Sequence, residues 1–174
     1  YKRQELLIGW LIKQLFNLNL ERLELIKIGQ RTENQFMGVN SGIMDQFIIG
    51  MGKAEHAVLL DTATLNYEFV PAKFGDYVIS IMNTNKRRSL TESKYNERRS
   101  ECESALSSLQ HKLNIESLGE LTMEQFKAHQ MLIKDDVKRR RAKHAVSENE
   151  RTKLAYQALS DNDFEKFGQL LNCL

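Results

Sequence analysis

Leu6, Leu7, Trp10, Leu11, Leu15 and Leu18 recur at three- and four-residue steps with Lys13 and Gln14 between them, the pattern of an amphipathic helix that turns one stripe inward. Asn17-Leu18-Asn19 ends it. From Glu21 to Phe36 two periods compete. Leu23-Glu24-Leu25-Ile26-Lys27-Ile28 alternates as a strand does, whereas Leu23, Ile26 and Gln30 share a helical face. The polar continuation Gln30-Arg31-Thr32-Glu33-Asn34 is poor strand material, so a helix is favoured.

A glycine-bearing turn follows, and then Gln46-Phe47-Ile48-Ile49-Gly50-Met51-Gly52 reads as a short buried helix stopped by glycine. Ala57 to Asp61 and Leu65 to Val70 are expected to be strands around Thr62-Ala63-Thr64, the second ended by Pro71, the only proline; a third strand is expected from Tyr77 to Met82. Ser89-Leu90-Thr91-Glu92 has the form of a capping box opening a long helix, along which Tyr95, Cys102, Ala105, Leu106, Leu109 and Leu113 form the apolar stripe. Thr122-Met123-Glu124-Gln125 repeats that signature. A helix from about Asp135 to Leu159 should bury Val137, Ala145, Val146, Ala155 and Leu159, and Ser160-Asp161-Asn162-Asp163 starts a last one with Phe164, Phe167, Leu170 and Leu171 inward. The expected class is α+β: mostly helical, with a small, largely antiparallel sheet between two helical halves.

A chain of 174 residues suffices for one domain with a core, or for pieces of two. It opens Tyr1-Lys2-Arg3 without methionine and closes at Leu171-Asn172-Cys173-Leu174 within an apolar helical pattern, so both ends are expected to be edges inside a longer sequence. Apolar faces covered there would be bare here, which leads to an expectation of self-association. The formal charge of +2 gives no field calling for nucleic acid or an anionic membrane, and no apolar run approaches the roughly 18 residues of a membrane span. Two widely separated cysteines, Cys102 and Cys173, fit a reducing cytoplasm.

Few stretches offer chemistry. Neither a Gly-x-x-x-x-Gly-Lys-Ser/Thr nor a Gly-x-Gly-x-x-Gly loop occurs, nor a Gly-x-Ser-x-Gly elbow, and His56, His111, His129 and His144 are scattered without metal-ligand spacing. Lys138-Arg139-Arg140-Arg141-Ala142-Lys143-His144 has acidic neighbours within a helical pattern and reads as a solvated face rather than a nucleic-acid site. Lys86-Arg87-Arg88, just before a helix start, suits either an anionic ligand or a plain exposed loop. Asp45 is the most suggestive residue. It follows the glycine turn at the head of an apolar run, where the field of a helix N-terminus favours a carboxylate, and it reads either as a helix cap or as a base aimed by a rigid element. Tyr95 is either a core tyrosine or a phenol able to reach a sugar.

The segments Gly38-Val39-Asn40-Ser41-Gly42-Ile43-Met44-Asp45-Gln46-Phe47, Met82-Asn83-Thr84-Asn85-Lys86-Arg87-Arg88, Ser93-Lys94-Tyr95-Asn96-Glu97-Arg98-Arg99-Ser100-Glu101-Cys102-Glu103 and Arg139-Arg140-Arg141-Ala142-Lys143-His144-Ala145-Val146-Ser147-Glu148-Asn149 together resemble, in order, the middle of the bacterial galactokinases of the GHMP kinase superfamily. The resemblance covers nearly the whole chain. It implies a two-domain fold, with residues 1–83 the latter part of the N-terminal domain and 84–174 the helical first part of the C-terminal one. It implies Asp45 as the base acting on the anomeric hydroxyl of galactose, Gly42 and Tyr95 as further sugar contacts, and ATP with Mg2+ as cofactors. The family's N-terminal sugar-binding segment, its Gly- and Ser-rich phosphate loop and its C-terminal Gly-rich segment have no counterpart here, Tyr1-Lys2-Arg3-Gln4 standing where the serine-rich end of that loop belongs. No cofactor-binding or metal residue is therefore assigned within this chain, and alone it is expected to lack kinase activity. The same scaffold also serves sugar-sensing relatives without turnover, the alternative reading.

Overall fold

The computed structural model describes residues 2–83, 85 and 91–172. They fall into two compact units that divide between Asp76 and Tyr77. The class is the expected one, mostly helical with a two-stranded antiparallel sheet.

In the first unit α1 (Lys2–Leu15), α2 (Arg22–Arg31) and α3 (Met44–Met51) pack on one another. The strand-or-helix competition after Glu21 resolves as helix, and α2 continues into a single π-helical turn, Thr32–Phe36. Ile26, Ile43 and Phe47 form the buried centre, with Leu6, Leu23, Met51, Val58, Leu60 and Leu65 packed around it. Gly50 allows the tight seat of α3: a Cβ there would come within 2.6 Å of Ile26 Cδ1. Strands β1 (His56–Leu60) and β2 (Tyr67–Pro71) pair antiparallel with His56 opposite Pro71 and Leu60 opposite Tyr67. Tyr67 holds the hairpin against α3 by an edge contact with Phe47, ring centroids 5.2 Å apart.

The second unit centres on α4 (Thr91–Gln110) and α6 (Asp136–Ser160), with α5 (Met123–His129) and α7 (Phe164–Asn172) against α6. Ala105, Leu109, Leu118, Leu121, Phe126, Ile133, Ala142 and Val146 form its core. The expected Thr122 capping box is present: the Thr122 hydroxyl accepts from the Gln125 backbone N–H, and the Gln125 side chain accepts from that of Thr122. Asp135 caps α6 in the same manner, accepting from the Val137 and Lys138 amides.

Four expectations fail. Residues 77–82 form no strand; Val78, Ile81 and Met82 lie almost wholly exposed, because the only strand pairing among the described residues is β1 with β2 and an alternating segment needs an edge to join. The α1 stripe is not turned inward as a whole: Leu6 packs on the core, while Leu7, Trp10, Leu11 and Leu15 stay exposed. Val137 and Leu171 are likewise exposed, and it is Ala142 and Ala158 that face inward beside Val146 and Leu159. Finally, the basic row of α6 is more than a solvated face. Lys138 Nζ donates to Ser104 Oγ at 2.9 Å and Arg141 Nε lies 2.9 Å from Glu101, tying α6 to α4, while Arg139 pairs with Asp136 and donates to the Ile133 carbonyl. The 89–92 capping box, the Lys86-Arg87-Arg88 cluster and Cys173 fall wholly or largely outside the described residues.

Candidate active site around Asp45

The turn that delivers Asp45 is built by backbone bonds from the π-helical turn. Met37 N–H donates to the Thr32 carbonyl at 3.1 Å and Val39 N–H to that of Glu33 at 3.0 Å, with Gly38 at φ +71°, a conformation that favours glycine. Ser41 N–H then donates to the Val39 carbonyl at 2.7 Å, and Gln30 Nε2 to the Ser41 carbonyl at 3.3 Å. The chain is thereby folded back over α2 before α3 begins. The N-cap position of α3 falls to Ile43, which has no polar side chain, so Asp45 sits inside the first turn and does not take the N-cap role that the plainer reading gave it.

The Asp45 carboxylate engages Lys2. Oδ2 lies 2.9 Å from Lys2 Nζ, which is also 3.2 Å from Glu33 Oε2. Glu33 in turn accepts from the Ser41 hydroxyl, so the three charged groups and the serine form one chain from α1 through the π-helical turn to α3. The Glu33 side chain is only 12% exposed, Asp45 48%. Gln46, fully buried, comes near Glu33 without reaching hydrogen-bond geometry. An open groove of about 500 Å³ runs past Asp45, lined also by Lys2, Arg3, Gln4, Ile48 and Ile49.

Electrostatics follow from this packing. Burial pushes the Glu33 carboxyl up, but the bonds from Ser41 and Lys2, the Gln46 amide and the Lys2 charge outweigh it, leaving the group below its ordinary 4.5. Burial likewise depresses the Lys2 ammonium, and Asp45 and Glu33 overcome that and hold it above 10.5. A depressed carboxyl stabilises the fold above its unfolded value, and that contribution is lost as pH falls through the lower folded value. The chain is therefore expected to lose stability on the acid side of 4.5 more steeply than Glu33→Gln does, as read from urea midpoints across the acid range. Parallel acid limbs for the two proteins would refute this.

Of the residues singled out from sequence, Gly42 and Asp45 lie together at the head of α3. Gly42 is exposed and a Cβ there would meet nothing within 4 Å. Tyr95 belongs to the second unit, on α4, and at 47% exposure it is not a core tyrosine. Local spacing does not mark Lys2, Glu33 or Ser41 as site residues: Ser41 lies within the Gly38–Phe47 motif, and Lys2 and Glu33 are joined to it by tertiary structure. Among the described residues no three His, Cys, Asp or Glu side chains converge to hold a metal.

The GHMP kinases N terminal domain family matches residues 5–53. Galactokinase from Staphylococcus saprophyticus is 79% identical over 97% of this chain, and that from Staphylococcus carnosus 62% over the same share. The crystal structure of Lactococcus lactis galactokinase complexed with galactose superposes over 97% of the chain with a TM-score of 0.94 at 55% identity. The chain is thus similar to galactokinases along nearly its whole length. It spans less than half of these galactokinases, 44% of the S. saprophyticus protein and 44% of the L. lactis chain. Glu33, Ser41, Gly42 and Asp45 all fall within the stretch matching the GHMP kinases N terminal domain, whereas Lys2 and Arg3 precede it.

Proposed function

We propose that this chain supplies the general base and part of the sugar pocket of a galactokinase, which transfers the γ-phosphoryl group of ATP to the anomeric hydroxyl of galactose. The observation that carries this reading is a half-exposed Asp45 carboxylate, at the head of a rigid helix and on an open groove, in a chain 79% identical to a galactokinase along nearly its whole length. Asp45 takes the proton of the anomeric hydroxyl as that oxygen bonds to the γ-phosphorus, and the bond from phosphorus to the β–γ bridging oxygen breaks, leaving ADP and galactose 1-phosphate. Gly42, bare of a side chain and facing open space, lets the sugar approach the backbone.

In this reading residues 1–83 are the latter part of the N-terminal domain and 84–174 the helical first part of the C-terminal domain, working in the cytoplasm. ATP and magnesium belong to the complete kinase. Following the resemblance to the galactokinases, the groups that hold nucleotide and metal are assigned to segments of the complete kinase other than these residues.

The test is galactose-dependent ADP release by two polypeptides: the 174-residue chain, and the same chain joined at both ends to the flanking segments of S. saprophyticus galactokinase. Turnover is expected from the joined protein and none above background from the chain alone. A folded but inactive joined protein would overturn the reading, and turnover by the chain alone would overturn the assignment of the nucleotide groups to other segments.

A further inference from the structure

We infer that Lys2 is a positioning residue for Asp45: its ammonium, anchored on Glu33, fixes the rotamer of the carboxylate that serves as base. The inference rests on the reading of Asp45 proposed above, but its geometry is independent of that reading. A single exposed ion pair contributes little and orders its partners weakly. Lys2 is differently placed. Its Nζ is shared between Asp45 at 2.9 Å and Glu33 at 3.2 Å, and Glu33 is nearly buried and bound by Ser41. The ammonium is thus held on one side by a nearly buried carboxylate that Ser41 also engages, and on the other it reaches a half-exposed one beside the groove.

The backbone agrees with this arrangement. Lys2 is the first residue of α1, and α1 packs on both α2 and α3, which brings its ammonium to the elements that carry Glu33 and Asp45. Lys2 also precedes the stretch matching the superfamily's N-terminal domain, which begins at residue 5; the cation beside Asp45 is therefore contributed by residues outside that match. A base held in one rotamer meets its proton in the reactive geometry more often than one that samples several, and misplacement by about 1 Å can cost up to roughly a hundredfold in rate.

The decisive measurement is the χ1 population of Asp45 from three-bond scalar couplings in the 174-residue chain, compared with Lys2→Met and Lys2→Arg. One dominant rotamer is expected in the parent, averaging in Lys2→Met, and recovery in Lys2→Arg. Equal populations in the parent and Lys2→Met overturn the proposal, as does averaging in the parent, whether the pair does not form or α1 does not dock. In the protein joined to the S. saprophyticus flanks, Lys2→Met should lower kcat about tenfold and leave the KM for galactose within about twofold; an unchanged kcat would refute the role. A joined parent without turnover counts against Asp45 as base, while the rotamer comparison still decides for or against Lys2.

Discussion

Asp45→Asn, in the chain joined to the S. saprophyticus flanks, should bind galactose as before and lose turnover by roughly a hundredfold to ten-thousandfold, the range for removing a general base. Asparagine keeps the shape of aspartate and a carbonyl oxygen for hydrogen bonding but cannot accept the hydroxyl proton. The substitution is mild for the fold. Lys2 keeps Glu33 as its partner at 3.2 Å, so no cation is stranded, and the half-exposed position demands little packing. A binding isotherm for galactose and a steady-state rate separate the two effects. Turnover within about tenfold of the parent would remove Asp45 from the proton transfer, and lost binding with a proportionate loss of rate would make it a sugar ligand only.

Phe47→Ala should be the most damaging change to the unit that holds Asp45. Phe47 is 1% exposed, packs against Ile26 and Ile43, and carries the edge contact to Tyr67 that fixes the hairpin. Truncating a buried phenylalanine costs about 3–5 kcal/mol, through lost transfer energy and the cavity left behind. It sits two residues beyond Asp45 on the same helix, so the head of α3 should lose its seat as well. Urea unfolding followed on the amide signals of α2 and α3 measures the cost, and a loss below about 1 kcal/mol would show that the site relaxes to fill the space.

The parts legible in the sequence were those determined within a few residues. The α5 and α6 starts could be read because Thr122 and Asp135 satisfy backbone N–H groups two or three positions ahead, and the end of α3 because Gly52 follows Met51. Residues 77–82 misled because alternation records only that a segment suits a sheet, while a strand exists only where an edge receives it. The α6 cations misled similarly: Asp135 and Glu148 are near in sequence, but the groups that engage Lys138 and Arg141, Ser104 and Glu101, come from α4. Around Asp45 the same division holds. The turn and the acid were visible as a motif, whereas Lys2 and Glu33 meet Asp45 only because α1 docks across α2 and α3.

That docking leaves an optical consequence. Trp10, the only tryptophan in the chain, lies on α1 and lines an apolar groove of about 470 Å³ with Leu6, Leu25, Ile26, Ile49 and Gly50. Its indole is half in solvent and half against the surface on which α1 rests, so detachment of α1 shifts its emission to the red without any added dye. The helix that brings the ammonium to the carboxylate thus carries its own fluorophore.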